Sequence, residues 1–569
     1  MQKIWKILKP NPNHVALQQA LSVDRIVSTL LSLRGIHNYD DAKTFFRPDL
    51  NQLHDPYLMK DMDKAIARIK TAISKNEKVL IYGDYDVDGT TAVSIVYSFF
   101  KQHINQIDYY IPDRYKEGYG ISFAGIDFAA ENNFSLIIAL DCGIKANDKI
   151  NYAAEKNIDF IICDHHLPGA ELPKAFAVLD QKRNDCPYPY KELSGAGIGF
   201  KLIQAYCIDQ ALAIEQCYQY LDLVATSIAA DIVPITGENR VMAYFGLERI
   251  NKNPRPGIKA LLNINQLKSP ANVGTLVFTL APRINAAGRI EHGSKAVELL
   301  SCEEDTKAEE FAKAIDDTNT QRRDLDSGTT IEAYDLMKAD PMCDSKKSTV
   351  LFNEGWHKGI VGIVASRMIE KYYKPTIILT ENDGKVSGSA RSVREFDIYT
   401  AIEKCSDLLE QFGGHKFAAG LTMKRENVKA FQEKFEKVVS ASITDDQLIP
   451  KIEIDCELNL SEISDKLLRI LKQFAPHGPE NMSPVFCTSA VFDAGWGQVF
   501  GNNHLRLEVF QKSNPNIRFQ AVAFDKGDFI HFFQKKTPMD IVYKIQENEF
   551  KGVSSIQLVI EDFRVSEKF

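Results

Sequence analysis

Three short apolar runs in this chain each stop abruptly at an acidic residue. Val79-Leu80-Ile81-Tyr82 leads into Gly83-Asp84-Tyr85-Asp86-Val87-Asp88-Gly89-Thr90, Leu136-Ile137-Ile138-Ala139-Leu140 into Asp141, and Phe160-Ile161-Ile162-Cys163 into Asp164-His165-His166. Such runs are too short for buried helices and lack the alternation of a strand with one wet face. They read as strands covered on both sides. Another run, Ile107-Asp108-Tyr109-Tyr110-Ile111, lies among them, and segments of helical spacing at 91–100 and 148–155 separate them. Strands alternating with helices predict an α/β fold with a parallel sheet. Ligands of open parallel sheets bind beyond the carboxyl ends of the strands, so the three acid-bearing ends predict one shared crevice.

A single Asp after a strand is commonly a turn former or helix cap. Three such ends in one sheet, with a His-His pair, point instead to a site. Gathered carboxylates repel and raise one another's pKa unless something neutralises them. Divalent cations do so, and oxygen donors with an imidazole favour Mn²⁺ or Mg²⁺, the histidine tilting the choice towards Mn²⁺. Two such ions about 3.5–4 Å apart polarise a phosphate and activate water. An EF-hand is excluded, because Ile95 stands where the loop needs its Glu and a strand precedes the acids.

The net charge of −8 excludes a protein that coats nucleic acid through overall basicity. Binding to nucleic acid therefore needs a local basic groove or metal ions. Ten cysteines without a Cys-x-x-Cys pair exclude a zinc ribbon or thioredoxin-type motif. No apolar run approaches the roughly 18 residues that span a bilayer. Nor does a continuous apolar stretch follow the first lysines, so the expectation is a cytoplasmic chain without a secretory signal or membrane contact.

With 569 residues, 44% hydrophobic and 25% charged, the chain has ordinary globular composition and room for several domains. Residues 1–75 read as a mostly helical segment without nameable chemistry. The first α/β pattern fills 76–265. A motif loop and a long helical connector occupy 266–345, the connector's charge-rich sequence reading as a solvated spacer between domains. A smaller α/β pattern covers 346–448. The texture at 449–569 is strand-rich and reads as a small antiparallel β-barrel.

These motifs resemble the DHH phosphoesterase superfamily, which takes its name from an Asp-His-His like that at 164–166. Leu221-Asp222-Leu223-Val224-Ala225 and Ala230-Asp231-Ile232-Val233-Pro234 continue the likeness, and its order holds over nearly the whole chain. The resemblance implies that Asp84, Asp86, Asp141, His165 and Asp231 bind metal, with Asp141 bridging two ions and Asp88 in support. It implies that His166 contacts the scissile phosphate and that Asp164 orients the neighbouring histidine.

Arg114, beside the glycine-rich turn Glu117-Gly118-Tyr119-Gly120, suits phosphate contact, although a lone surface arginine reads equally as unremarkable. Within Pro282-Arg283-Ile284-Asn285-Ala286-Ala287-Gly288-Arg289, the resemblance implies that Arg289 faces nucleic acid. Gly355-Trp356-His357-Lys358-Gly359 precedes a helix and offers an anion site. Together with Ser387-Gly388-Ser389-Ala390-Arg391 and Gly413-Gly414-His415-Lys416 it resembles the DHHA1 domain. That likeness implies a cleft opposite the metals lined by His357, Arg367, Ser389, Arg391 and His415, part of which holds a 5′-terminal phosphate. The last 120 residues resemble an OB fold, with Trp496, Phe500, Arg506, Arg518, Phe519 and Phe550 as candidates for stacking on a single strand; barrel aromatics are also commonly core.

The implied activity is metal-dependent 5′→3′ hydrolysis of single-stranded DNA to 5′-mononucleotides, in recombination and repair. The implied enzyme is a monomer fed by a helicase or a single-strand-binding protein. Two other readings stay open at this point: a phosphoesterase for oligoribonucleotides or cyclic dinucleotides, and a non-catalytic DNA-binding scaffold.

Overall fold

The computed structural model describes residues 3–267, 269–382, 384–534, 537–550 and 552–567, and the Phe550 side chain lies outside the described residues. Its first sheet has five parallel strands, β1 (Val79–Gly83), β2 (Ile107–Tyr110), β3 (Leu136–Leu140), β4 (Asp159–Cys163) and β5 (Ala177–Leu179), in the order β2-β1-β3-β4-β5. Every residue of β1 and β3 is buried. Alternate side chains serve opposite faces. Ile81 and Ile138 meet the helices α1 (Val87–Phe100), α2 (Gly195–Asp209) and α3 (Leu221–Ala230). Leu80, Tyr82, Ile137 and Ala139 meet Ile126, Ala129, Ile150 and Ala153 on the other side.

Each fully buried side chain of this kind contributes roughly 1.5–3 kcal/mol. The strand interiors therefore fix the register, and the strand ends are free to carry acids. The chain runs from β1 outward to β2 and then returns to the far side of β1 as β3. Asp84 and Asp141 thus emerge where the strand order reverses, which is where such sheets open a crevice.

The first 75 residues divide between two cores. Leu17, Val27, Leu30 and Leu31 pack with Leu471, Phe474 and Phe486 of the C-terminal part. Met62, Ile66 and Ile69 join the first sheet's helices. Ile4–Ile7 adds a parallel strand to Lys451–Ile454. Buried Arg240 completes the tie, its guanidinium donating to the carbonyls of Phe45, Gln473 and Phe474.

The connector contains α4 (Asp305–Ala339), 35 residues and about 50 Å long. It is not the solvated spacer that its charges predict. Ala308, Ala312, Ile315, Asn319, Arg322, Asp326, Thr330, Ala333 and Met337, three or four residues apart, form a buried stripe along its length. The abundant Glu and Lys occupy only the other faces, and the small or polar stripe gives little periodic signal.

The second α/β unit contains β6 (Thr349–Phe352), α5 (Val361–Tyr372), β7 (Thr376–Asn382), β8 (Lys385–Arg391), β9 (Gln411–His415) and β10 (Ala418–Met423). Its strand order is β9-β10-β8-β7-β6, parallel only between β6 and β7. At the C-terminus a seven-stranded sheet curls on itself, Val491–Asp493 pairing back with Val509–Gln511. The fold expected from sequence holds, except that this last sheet is not purely antiparallel. Gln520–Val522 runs parallel to Gln557–Val559, and Cys456–Glu457 parallel to Phe486–Cys487. Among the described residues no helix is long and apolar enough to cross a membrane.

Candidate metal and phosphate site

The β1 loop is built to present its acids. A Cβ on Gly89 would run into the Asp84 backbone, so only glycine lets α1 begin against the strand end. Asp86 caps α1, its Oδ1 accepting from the Gly89 N–H at 3.0 Å. Asp88, in the first turn of α1, reaches the start of α2. Its carboxylate accepts from the N–H groups of Gly195 and Ala196 at 2.7 and 2.8 Å and from the Ser227 hydroxyl of α3 at 2.7 Å. A helix N-terminus stabilises an anion held in this way. A Cβ on Gly195 would lie 2.7 Å from the Asp141 side chain, so that glycine admits Asp141 to the same place.

His165 is the hub. Its Nε2 stands 3.2 Å from Asp141 Oδ1 and 3.6 Å from both Asp88 Oδ2 and Asp231 Oδ2. Asp164 lies behind, buried, its Oδ1 accepting from His166 Nδ1 at 2.7 Å and its Oδ2 from the Ile144 N–H at 2.9 Å. Burial works to raise its pKa, but the hydrogen bond and charge of His166 prevail and hold it at about 2. Burial works to lower that of His166, and Asp164 carries it instead to about 9. His166 Nε2 faces the Tyr119 hydroxyl at 3.2 Å.

Elsewhere in the cluster the carboxyls rise. Burial first, then the charge of Asp86, pushes Asp84 well up. Burial, then Asp88 and Asp86, does the same to Asp141 and brings Asp231 to about 8. Asp84 Oδ2, Asp141 Oδ1 and His165 Nδ1 are buried without hydrogen-bond partners. Among the described residues two donor groups have ligand atoms within 4.8 Å of one another: Asp141, His165 and His166, and Asp88, His165 and Asp231. Orphaned carboxylate oxygens around imidazoles, without a thiolate, fit hard divalent ions. Asp88, expected only in support, stands in a donor group. Asp84 and Asp86 share the cluster without entering either group.

Within electrostatic reach of the acids stand cationic groups. The Arg114 guanidinium lies over the Tyr85 ring at 4.6 Å. Arg289 donates to the Gly359 carbonyl at 3.1 Å, and its own carbonyl accepts from the Tyr115 hydroxyl. Burial, then the charges of Arg114, Arg391 and Arg322, brings Arg289 down to about 10. Arg391 donates to the Ser389 hydroxyl at 2.9 Å. His415 is within electrostatic reach of both Arg391 and His166, and these, after burial, lower its pKa. His357 is half-buried and accepts from the Gly359 N–H at 3.1 Å. Arg367 is engaged differently from the others. It donates at 2.5 Å to Asp326 Oδ2, a fully buried carboxylate on α4 that also receives Arg322 at 3.5 Å.

Sequence reasoning missed Asp326, which lies inside a charge-rich helix, and Asp180. The latter follows β5 and is fully buried, with Oδ2 unpartnered and the carboxyl raised to about 7, chiefly by burial. Phe176-Ala177-Val178-Leu179-Asp180 carries the same run-then-acid signature, only shorter. In the C-terminal sheet, Trp496 is 72% exposed and Arg506 lies 4.9 Å over the Phe500 ring. Arg518 is paired with Glu508 and Phe519 packs against the core.

Residues 78–228 match the DHH family N-terminal domain, 345–441 the DHHA1 domain and 454–562 the RecJ OB domain. Fold and site together make this chain a DHH-type protein carrying a DHHA1 domain. The single-stranded-DNA-specific exonuclease RecJ of Bacillus subtilis (strain 168) is 36% identical over 568 residues, covering 99% of this chain and 71% of that protein. That of Escherichia coli K12 is 31% identical over 523 residues, covering 89% and 90%. The crystal structure of RecJ in complex with Mn²⁺ from Thermus thermophilus superposes with a TM-score of 0.84 at 25% identity, covering 99% of this chain and 80% of that one. The chain belongs to the RecJ family.

Proposed function

We propose that the chain is a metal-dependent exonuclease that hydrolyses single-stranded DNA from the 5′ end to 5′-mononucleotides, acting in the cytoplasm as a monomer in recombination and repair. The observation that carries this reading is an acidic cluster centred on His165, with Arg114 stacked on Tyr85 between its acids Asp84 and Asp86 and within electrostatic reach of both. Asp84, Asp86, Asp88, Asp141, His165 and Asp231 would hold two ions of Mn²⁺ or Mg²⁺, as the Thermus relative's structure holds Mn²⁺. When bound, such ions activate water and stabilise charge on the leaving oxygen.

The chain's own residues do the rest. Asp164 holds His166 through Nδ1 and favours its protonated form, so Nε2 is the N–H turned to the phosphate. Arg114, Arg289 and Arg391 with Ser389 grip the strand's phosphates, and His357 shapes the turn at Gly359 beside Arg289. Arg367, already paired, supports the grip from behind. The C-terminal sheet, through Trp496, Phe500 and Arg506, receives the strand beyond the crevice. A helicase or a single-strand-binding protein would supply that strand. A phosphoesterase restricted to dinucleotides has no use for this outer platform.

Timed digestion of end-labelled single- and double-stranded DNA with Mn²⁺ or Mg²⁺ tests the proposal. The expected product is mononucleotides released from 5′ ends of single strands alone. Asp141→Ala should abolish release while leaving single-strand affinity within about twofold. Preserved digestion by that variant, or release from 3′ ends, refutes the reading.

A further inference from the structure

Ile232 sits immediately after Asp231, at the position where α3 ends, with φ at +60°. That left-handed position normally belongs to glycine or asparagine, and a β-branched residue is strained there. Among the described residues it is the one β-branched residue with positive φ. Burial does not offset the strain, because Ile232 is 66% exposed. Exposed strain beside a reactive cluster marks a side chain whose contact lies outside the folded chain.

Leu167, which follows His166, is the companion. It is 69% exposed, and Pro168 restricts it to extended backbone. The two loops meet where Asp231 Oδ2 stands 3.6 Å from His165 Nε2. Tyr119, 56% exposed, stands beside them with its hydroxyl 3.2 Å from His166 Nε2. A site that handled only phosphate and ions would be rimmed by polar groups.

We infer that Ile232 and Leu167 form an apolar ledge that takes the face of the nucleobase belonging to the nucleotide being cleaved. This inference rests on the exonuclease reading and extends it. The groups flanking a scissile phosphate are sugar and base, and the base offers the flat apolar surface. Aliphatic side chains make no hydrogen bonds to base edges, so the ledge grips all four bases alike. A paired base is stacked within its duplex and cannot lie on it, so the ledge contributes to single-strand selectivity.

The test uses the full-length enzyme with Mn²⁺ and 5′-phosphorylated single strands whose terminal nucleotide carries either a base or an abasic tetrahydrofuran. First-cleavage kcat/KM should be about fivefold higher on base-bearing ends, the size expected of one modest apolar contact. Ile232→Gly should bring that ratio close to one and, by relieving the backbone, raise Tm by about 2–4 °C. Leu167→Ala should lower the ratio without raising Tm. A ratio of one in the parent enzyme overturns the ledge, as does an unchanged ratio in both variants. A fall in Tm for Ile232→Gly shows instead that the side chain is held by the protein's own packing, which also overturns it. Failure of the parent to cut either strand is a different outcome: it removes the exonuclease reading and the ledge with it.

Discussion

Asp231→Asn should stabilise the metal-free protein, and the sign of that effect tests the electrostatic reading of the whole cluster. In the folded chain its carboxyl is raised from 3.8 to about 8, first by burial and then by Asp88 and Asp86. Between those values the folded state holds a proton that the unfolded state has released, so metal-free stability falls as pH rises through the window. At pH 7 the full effect is about 4 kcal/mol for the three or so pH units above 3.8. The side chain is 29% exposed and shares charge with its neighbours, which reduces the effect to about 2 kcal/mol. The amide removes it. Thermal melts with chelator should therefore place the variant about 4–8 °C above the parent at pH 8, the gap closing towards pH 4. Added Mn²⁺ should raise the parent's melting point more than the variant's, because the amide is a poorer ligand for a hard cation. A variant that melts below the parent without metal at pH 8, or a gap independent of pH, refutes the reasoning.

Two other outcomes follow from groups outside the cluster. Asp326→Asn, which strands Arg367 and Arg322 around a neutral amide, should cost about 3 kcal/mol in denaturant unfolding; adding Arg367→Met should recover part of that loss, and simple additivity would count against a coupled pair. Burial lowers His477 to about 4, so the folded state resists a proton that the unfolded chain accepts below pH 6.5. Between pH 6.5 and pH 5 His477→Gln should therefore gain about 2 kcal/mol relative to the parent, as unfolding curves of the two proteins at the two pH values will show.

The first sheet and its acids were legible because both signals are local. A run of five buried residues and the acid after it are contiguous in sequence, and the parallel sheet brings such ends together by topology. The relative roles of Asp84, Asp86 and Asp88 were not legible. They depend on the partners waiting in space: Gly89 for Asp86, the α2 N-terminus for Asp88, Gly120 for Asp84. Asp326 was hidden for a related reason. A buried stripe of Ala, Thr, Asn, Arg and Asp has helical period without hydrophobic contrast, so its burial shows only once α5 and the helix Ala281–Ile290 are packed against it. The N-terminal segment carried no chemistry because its work is packing, divided between two cores distant in sequence.

The two charge clusters face each other without cancelling. Arg114 stacks on Tyr85 although Asp84 and Asp86 are within electrostatic reach, Arg289 and Arg391 turn to backbone and hydroxyl oxygens, and Arg367 is held by Asp326 on the far side. Had the arginines paired with the acids, each cluster would have quenched the other, and neither cations nor phosphates could enter without first breaking a buried salt bridge, a loss of about 3–5 kcal/mol. Burial first, then like charges, disfavours the charged forms on each side: the Asp84, Asp141 and Asp231 carboxyls are raised and Arg289 is lowered. A strand of phosphates accompanied by divalent cations relieves both at once, cations on the acid side and phosphates on the other. The folded chain thus holds acids pushed towards their neutral form beside an arginine brought down from its usual value, and cations and phosphates bind by letting these groups carry full charge, a gain that a neutral small molecule could not draw upon.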